Sequence, residues 1–308
     1  MKLNKIIKNI FARKEKKPEG LIERESFFGD LKIILKGNHM LDQYQKSFPL
    51  YDRFLPVLCS SFDGLIIDVG ANIGDTSIAV FSKNNKSFIV GVEPDDGFFS
   101  ECEENIKLNN LKDRFLGVKK FVTTNKGKYT IEKSNTLSTG SISNNSNEIG
   151  EINSISFSEL MNLIPLEKKI KFDILKIDTD GFDWDVINSF LEYVNYLKKK
   201  PRFVFFEMQT YLNNIGVHDK NRELIIDKYK LSIEGLFENG YNNFCLLDNF
   251  GTPIKITQSI KDIFEIDDYV KRSQIYNSHS TIYYLDILAF PNEELQFVNE
   301  SLLNLYKK

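Results

Sequence analysis

Residues 65–76 read LIIDVGANIGDT, and this stretch decides the fold. Its apolar start predicts a buried strand, its two glycines a tight turn, and the residues that follow a helix. A second apolar run, FIVGVEP at residues 88–94, comes one helix later. A strand, a helix and a strand at this spacing predict a right-handed parallel βαβ unit.

Later apolar runs extend the same scheme, at residues 115–122, 172–178, 202–208, 243–248 and 281–290. We therefore predict an α/β domain over residues 62–308, with a Rossmann-like, mostly parallel sheet, helices on both faces and antiparallel closing strands. Between these runs, residues 134–154 are rich in Ser and Asn. They predict a long loop, for which substrate contacts and plain disorder are equally good interpretations.

The chain begins with MKLNKIIKNIFARKEKK, whose apolar residues recur at helical spacing among lysines. Residues 1–17 therefore predict a basic amphipathic helix. Such a helix either packs on its own domain or makes peripheral contact with an anionic membrane. The following residues predict more helix, so that residues 1–61 would form an N-terminal helical segment serving as a lid or docking layer.

Composition narrows the function classes. The 308 residues carry a formal net charge of −3, which argues against nucleic acid as a partner. The three cysteines, Cys59, Cys102 and Cys245, are far apart and favour a reducing compartment over a disulfide or zinc framework. No apolar run in the sequence reaches the roughly 20 residues of a membrane span. We expect a cytoplasmic protein, with residues 1–17 as the route to the inner membrane face.

The glycine turn predicts a ligand site, because open α/β sheets bind ligands beyond the carboxyl ends of their strands. Gly70 permits the turn, and Gly74 lets the helix approach the sheet. Glu93 closes the second strand about 20 residues after the turn, where a carboxylate can accept both hydroxyls of a ribose. The loop from Asp68 to Thr76, together with Glu93, is the predicted cofactor crevice.

The same scaffold could hold NAD or S-adenosylmethionine, and the loop discriminates between them. It lacks the G-x-G-x-x-G pattern, and the carboxylates of Asp68 and Asp75 would repel a diphosphate. S-adenosylmethionine presents a sulfonium and an ammonium, which acidic residues favour. The alternative without a ligand, in which both acids only cap the helix, does not explain Glu93 or the two glycines.

Four ordered stretches resemble the successive motifs of the FkbM methyltransferases. They are DVGANIGDTS from residue 68, GVEPDDGFFSECEENIKLN from 91, INSISFSEL from 152 and FDILKIDTDGFDWDVI from 172. A weaker similarity continues in GLFENGY, residues 235–241. The resemblance implies S-adenosylmethionine-dependent O-methylation of a hydroxyl on a sugar, glycan or other metabolite, as in bacterial surface-polysaccharide or metabolite assembly.

The resemblance also implies residue roles. Positions that match the family's cofactor motif are Gly70, Asn72, Gly74 and Glu93. Asp178 and Gly181 match its second motif, which usually carries Val-Glu-Gly where this chain has Thr-Asp-Gly at residues 179–181. The acid of that motif is therefore one carbon shorter here.

Candidate catalytic residues come from the ends of two neighbouring strands. Asp178 and Glu207 should converge on one crevice, with Glu207 the more exposed because it precedes an irregular stretch. Such a pair could share a proton, bind sugar hydroxyls or hold an Mg²⁺ ion. Lys176 is expected to pair with a nearby acid. His218 is a further candidate base because its ordinary pKa is near neutrality, although a surface histidine is the plainer interpretation.

Two other function classes stay open on sequence grounds. A catalytically silent cofactor-binding partner of a glycan enzyme would keep the same motifs. An NAD-dependent oxidoreductase would share the fold but is disfavoured by the loop. The sequence does not identify the acceptor or the oligomeric state.

Overall fold

The computed structural model describes residues 23–125, 128–133, 140–143, 152–210, 220–276 and 282–307. Its strands are β1 (Glu23–Phe28), β2 (Leu31–Lys36), β3 (Leu65–Val69), β4 (Phe88–Val92), β5 (Phe115–Val118), β6 (Phe121–Val122), β7 (Lys128–Lys133), β8 (Gly140–Ser143), β9 (Ile152–Ile155), β10 (Phe172–Ile177), β11 (Phe203–Met208), β12 (Asn243–Asp248), β13 (Pro253–Thr257) and β14 (Leu285–Phe290). Its helices are α1 (Leu41–Ser47), α2 (Phe54–Cys59), α3 (Asp75–Phe81), α4 (Asp96–Leu108), α5 (Phe157–Leu163), α6 (Asp183–Leu197), α7 (Lys220–Glu238), α8 (Ile260–Tyr276) and α9 (Leu295–Leu305).

Eight strands form the central sheet in the order β13-β12-β14-β11-β10-β3-β4-β5. The five strands from β5 to β11 in this order run parallel, whereas β14 is antiparallel to both β11 and β12. The chain builds outward from β3 to β5 and then crosses back to β10, which makes the β3/β10 boundary the topological switch point. The Rossmann-like sheet and its antiparallel closing strands are thereby confirmed.

Helices cover both faces of this sheet. One core packs α5, α6, α7 and α8 against it, and the other packs α3, α4 and α9 together with the N-terminal elements. Strands β3, β10, β11 and β12 are buried along their whole length, because helices shield both of their faces.

The expectation of a helical N-terminal segment is wrong for residues 23–36. They form an antiparallel hairpin, β1 and β2, joined by the two-residue turn Gly29–Asp30. Gly29 has a φ of +58°, which suits a glycine at the first position of such a turn. Ile33 and Leu35 are buried at a spacing of two, the period of a strand. The helices α1 and α2 that follow fit the expected helical character of the later part of this segment.

The hairpin and the two helices pack on the sheet. Ile33, Leu35, Phe54 and Leu58 share one core with Ile66 of β3. Residues 23–61 therefore contribute to the domain core. Residues 1–22, including the predicted amphipathic helix, lie outside the described residues, so their membrane contact stays a prediction.

A second small sheet has the order β6-β9-β7-β8. Strand β8 and the first three residues of β9 fall within residues 134–154, where we predicted a loop, so that prediction is wrong for the described part of the segment. Strand pairing here is antiparallel between β7 and both of its neighbours. This pairing gives hydrogen-bond partners to the backbone N–H and C=O groups of a segment that has few large apolar side chains.

No described helix is long and apolar enough to cross a bilayer. The cysteines Cys59, Cys102 and Cys245 are free and buried.

The close approach of two loops at Gly70 yields a stability prediction. Gly70 has a φ of +81°, and a Cβ there would lie 1.6 Å from the backbone oxygen of Asp178. Because a backbone atom cannot rotate away, Gly70→Ala should lower the free energy of unfolding by about 4 kcal/mol or more. Chemical denaturation followed by circular dichroism measures the loss.

Gly29→Ala is the matched control. Gly29 also has a positive φ, but a Cβ there would meet only Ser82 Cβ at 3.9 Å. Its replacement should cost only the left-handed conformation, about 1–2 kcal/mol. Equal losses in the two variants would show that the contact between Gly70 and Asp178 does not constrain the fold.

Candidate functional site

A buried ion pair supports the glycine turn from below. The ammonium of Lys176 lies 2.9 Å from Asp68 Oδ1 and donates a hydrogen bond of 3.0 Å to the carbonyl oxygen of Gly70. The second carboxylate oxygen of Asp68 accepts a 2.7 Å hydrogen bond from the Ser77 hydroxyl. Burial would lower the pKa of Lys176, but the charges of Asp68 and Asp178 outweigh it and raise that pKa. The predicted pairing of Lys176 with an acid is confirmed.

This pairing changes the part that Asp68 plays. Asp68 is 2% exposed and its charge is offset by Lys176. It therefore does not present a free carboxylate to a ligand, although the electrostatic argument from the sequence assumed that it would. The acid positions the turn through Lys176 instead. Asp75, in the first turn of α3, is half-buried. Burial raises its pKa, and the neighbouring His39 opposes that shift.

The turn itself is held in conformations that bring its backbone close to the neighbouring strands. Gly70 and Asn72 have φ values of +81° and +47°, and the Gly70 and Ala71 amides both donate to the carbonyl of Val92 at the end of β4. At Gly74, a Cβ would meet the Cys102 sulfur at 2.9 Å. The glycine positions are therefore set by packing as well as by ligand access.

Glu93 joins the turn to the second strand. Its two carboxylate oxygens accept backbone hydrogen bonds of 2.9 Å, one from Asn72 and one from Asp95. Burial raises the pKa of Glu93 to about 7, although both hydrogen bonds act to lower it. Each oxygen retains a lone pair beyond these contacts, so the carboxylate can still accept hydroxyl hydrogens. These observations fit the predicted ribose-binding residue.

A second buried acid, Asp183, ties the end of β10 to β11. Its carboxylate accepts hydrogen bonds from the amide and hydroxyl of Thr179, at 3.0 and 2.7 Å, and from the amide of Glu207 at 3.0 Å. Burial raises its pKa to about 7, with Asp178 contributing in the same direction. Sequence reasoning gave Asp183 no role, although it lies inside the motif that begins at residue 172.

A cleft of about 630 Å³, counted with its open mouth, lies at the carboxyl ends of β10 and β11. Asp178, Glu207 and Thr76 all line it, so the structure brings the two candidate catalytic acids together. The expected order of exposure is wrong. The Asp178 side chain is 45% exposed, whereas Glu207 is 5% exposed, because β11 stays buried through Met208 and Gln209 donates a hydrogen bond to Glu207 Oε1.

Residues that the motifs did not indicate complete the cleft. Asp286, on antiparallel β14, is the direct cross-strand partner of Glu207, and Tyr284 precedes it. Burial, followed by the charge of Asp178, raises the pKa values of both Glu207 and Asp286 well above their ordinary range. Tyr51 and Asp52 also line the cleft. None of these residues follows a parallel strand, so no signal in the sequence indicated that they belong to the site.

The wall that carries Tyr51 and Asp52 is the connection between α1 and α2. It is fixed to the turn after β12, where the Phe48 and Phe250 rings stack with centroids 3.5 Å apart. Next to this stack, a Cβ at Gly251 would lie 2.5 Å from the Leu50 carbonyl oxygen. The connection between α1 and α2 thus forms a fixed part of the cleft wall, and a role as a lid or docking layer stays a prediction.

Two predictions, a histidine base and a metal site, gain no support from the described residues. His218 lies outside them, so its role as a base stays a prediction. Within the described parts of the chain, no group of three or more His, Cys, Asp or Glu side chains is arranged to hold a metal ion. The suggestion of Mg²⁺ on Asp178 and Glu207 therefore gains no support.

Several solved structures resemble the chain at low identity. An O-methyltransferase from Bacillus cereus in complex with SAH is 12% identical, with a TM-score of 0.42 over 82% of this chain and 88% of that one. A putative O-methyltransferase from Klebsiella pneumoniae is 13% identical, with a TM-score of 0.43 and the same coverage. Precorrin-6y C5,15-methyltransferase from Geobacter metallireducens is 10% identical, with a TM-score of 0.38 over 78% of this chain and 86% of that one. No curated protein sequence matches the chain.

The family comparison is specific. The model of the Methyltransferase FkbM domain matches residues 68–241, more than half of the chain. The match begins at Asp68, beneath the glycine turn, and spans Glu93, Asp178 and Glu207. The chain belongs to the FkbM family of S-adenosylmethionine-dependent methyltransferases.

Proposed function

We propose that this methyltransferase transfers a methyl group to a hydroxyl of a sugar or glycan, in bacterial surface-polysaccharide or metabolite assembly in the cytoplasm. The cleft beside the glycine turn carries the proposal. It combines carboxylates, which accept hydrogen bonds from hydroxyls, with the rings of Tyr51 and Tyr284, which can pack against a sugar face.

Residues of the switch point would hold the cofactor. The backbone around Gly70 and Asn72 gives a close approach, and the carboxylate of Glu93 can accept both ribose hydroxyls. S-adenosylmethionine supplies an electrophilic methyl group when it is bound. Asp178 lies at the junction, because its backbone touches the turn at Gly70 while its side chain lines the cleft.

The two acids of the cleft differ in environment, which suits them to different tasks. Asp178 is half-exposed and lies 3.4 Å from the Lys176 ammonium, so it can accept the proton of the reacting hydroxyl while Lys176 offsets its charge. Glu207 is buried and hydrogen-bonded by Gln209, so it can orient the acceptor through a fixed hydrogen bond. Positioning of this kind supplies much of the rate in an in-line displacement.

The proposal requires only protein side chains for proton transfer. An Mg²⁺ ion at Asp178 and Glu207 is a separate hypothesis, and it predicts that a chelator abolishes the activity and that added Mg²⁺ restores it. An NAD-dependent reaction predicts stabilisation by NAD. Thermal unfolding measured with each cofactor shows which of the two binds, because a ligand at about 100 times its Kd adds about 2.7 kcal/mol to the free energy of unfolding. We expect stabilisation by S-adenosylmethionine alone.

The raised pKa of Glu93 predicts that cofactor affinity depends on pH. Only the ionised carboxylate accepts both ribose hydroxyls, and the pKa in the free protein is about 7. Affinity should therefore be constant well above pH 7 and fall about tenfold for each pH unit below it. Calorimetric titration with S-adenosylmethionine between about pH 6 and 8 measures this dependence.

Glu93→Gln is the matched variant for this titration, because it keeps the shape of the side chain but removes the group that titrates. Asp183, whose pKa is also about 7, is unchanged in this variant. It should bind more weakly at pH 8, by about tenfold or more, and lose the pH dependence below pH 7. An unchanged affinity in Glu93→Gln at pH 8 would contradict the ribose assignment.

Replacing either cleft acid with its amide should depress turnover. Glu207→Gln and Asp178→Asn should each lower kcat by roughly 10² or more, while cofactor affinity changes little. Turnover is measured as methyl transfer to a panel of mono- and oligosaccharides, with mass spectrometry to locate the methyl group. Glu265→Gln, at an exposed position on α8, is the control for loss of one negative charge.

Near-normal turnover in both cleft variants would remove these residues from the chemistry and make His218 the next base to test. Methylation of none of the hydroxyl-bearing carbohydrates, with S-adenosylmethionine still bound, would overturn the acceptor class.

A further inference from the structure

The end of the domain opposite the cleft exposes large apolar side chains. Strands β10 and β11 are parallel, so the connections that lead into them lie at the edge of the sheet away from Asp178 and Glu207. These connections, residues 164–171 and 198–202, follow α5 and α6. Five large apolar side chains in or next to them are between 53% and 84% exposed: Leu163, Leu166, Ile170, Tyr196 and Leu197.

Hydrogen bonds hold the two connections side by side. The ammonium of Lys199 donates to the carbonyl oxygen of Lys169, and the amide of Arg202 donates to the carbonyl oxygen of Phe172 at 3.3 Å. Beneath them, α5 and α6 pack into one core. Residues 163–171 and 196–202 therefore form one end of the domain, which we call the lysine-rich end.

The lysine-rich end carries an excess of positive charge. Its lysines are Lys168, Lys169, Lys171, Lys198, Lys199 and Lys200. Glu167 is the one acid in these two stretches, although the whole chain has a formal net charge of −3. Arg202 is paired with Glu294, and Lys171 is paired with Asp63. Within the described part of the chain, the other five lysines form no ion pair with a carboxylate.

The contacts that these five lysines do make are with neutral groups. The ammonium of Lys168 lies 5.0 Å from the centroid of the Phe88 ring. Lys169 donates a 2.7 Å hydrogen bond to the carbonyl oxygen of Met161, and Lys200 donates to that of Asn239. Because a carbonyl or a ring carries no net charge, the positive charge stays uncompensated and attracts anions to this end of the domain.

Exposed apolar side chains among uncompensated lysines match the chemistry of an anionic membrane surface. Apolar side chains enter the boundary between lipid headgroups and acyl chains, while lysines attract the anionic headgroups. Tyrosine is also enriched at that boundary, where its ring meets both environments. An uncharged protein surface would match Leu166 and Ile170 but not the lysines. A nucleic acid would match the lysines but not the aliphatic side chains.

We propose that the lysine-rich end binds the surface of a membrane that contains anionic phospholipid, with Leu166, Ile170 and Tyr196 among the headgroups. The cleft lies at the other end of the six-residue strand β10, so it would be held roughly 20 Å above the lipid and open away from it. This surface is separate from residues 1–17, and its role does not depend on the identity of the acceptor.

Vesicle flotation tests the proposal directly. The full chain is mixed with vesicles of phosphatidylcholine alone or of phosphatidylcholine with phosphatidylglycerol, at low and high NaCl. Binding to the anionic vesicles should be about tenfold or more tighter than to the neutral ones. It should weaken in high salt, because the Debye length shortens from about 10 Å at 0.1 M to about 3 Å at 1 M. Equal binding to both vesicles, or binding to neither, would overturn the proposal.

Two paired variants assign the binding to this end of the domain. Leu166→Ser with Ile170→Ser removes exposed apolar side chains, and Lys198→Asn with Lys200→Gln removes two charges. Asparagine suits position 198, where φ is +56°. Each lysine near an anionic surface contributes a factor of about five to the affinity, so each pair should weaken binding to anionic vesicles about tenfold or more.

A matched control pair lies away from this end. Leu224 on α7 is 59% exposed, and the Lys46 side chain on α1 is 79% exposed. Leu224→Ser with Lys46→Gln should keep the affinity for vesicles within about twofold. All three pairs should bind S-adenosylhomocysteine like the wild type, which shows that they fold. Wild-type vesicle affinity in both pairs of the lysine-rich end would overturn the proposal and assign the binding to another surface, residues 1–17 included.

Sedimentation velocity without lipid distinguishes a membrane from a second copy of the chain. The membrane role predicts no self-association through this surface. A dimer that Leu166→Ser with Ile170→Ser dissociates, together with no binding of the wild type to anionic vesicles, would identify the lysine-rich end as a contact between protein copies and overturn the proposal.

Discussion

The pairing of Lys176 with Asp68 is the interaction on which the site depends. It joins the buried strands β3 and β10 at the switch point, and the same ammonium binds the carbonyl of Gly70. Removing one partner of a buried ion pair leaves an uncompensated charge and costs about 3–5 kcal/mol. The turn can therefore hold positive φ angles and lie against Asp178 without a ligand. Asp68, the first residue of the family motif, therefore acts mainly by stabilising the glycine turn.

Electrostatic balance divides the site into two halves. On the cofactor side, Asp68 is neutralised by Lys176, and Glu93 is stabilised by two backbone amides. On the other side, Glu207 and Asp286 face each other across neighbouring strands, and burial raises the pKa values of both. Asp183 links the halves, because its carboxylate binds both the loop after β10 and the backbone of Glu207. The first half is therefore held by an ion pair and backbone hydrogen bonds, whereas the second half carries buried acids whose pKa values are raised.

The sheet was predictable because its strands are continuous apolar runs separated by turn residues. The N-terminal hairpin was not, since its alternation is short and its Gly29–Asp30 turn lies within a stretch that also fits helical spacing. Among the site residues, Glu93, Asp178 and Glu207 follow or end parallel strands, where ligands bind. Asp286 lies near the start of an antiparallel strand, and the start of that strand is at the same edge of the sheet. Asp52 reaches the cleft only through tertiary packing, for which the sequence carries no local signal.

The stacked rings of Phe48 and Phe250 give the domain an order of assembly. They connect a residue that precedes the whole central sheet to a turn that follows six of its eight strands. During synthesis, the segment between α1 and α2 emerges early, but Phe250, the ring on which Phe48 stacks, emerges only after β12. A truncated or half-made chain can thus build the glycine turn and Glu93 while its acceptor cleft stays open on one side. This wall of the cleft is therefore complete only after the C-terminal strands have been made.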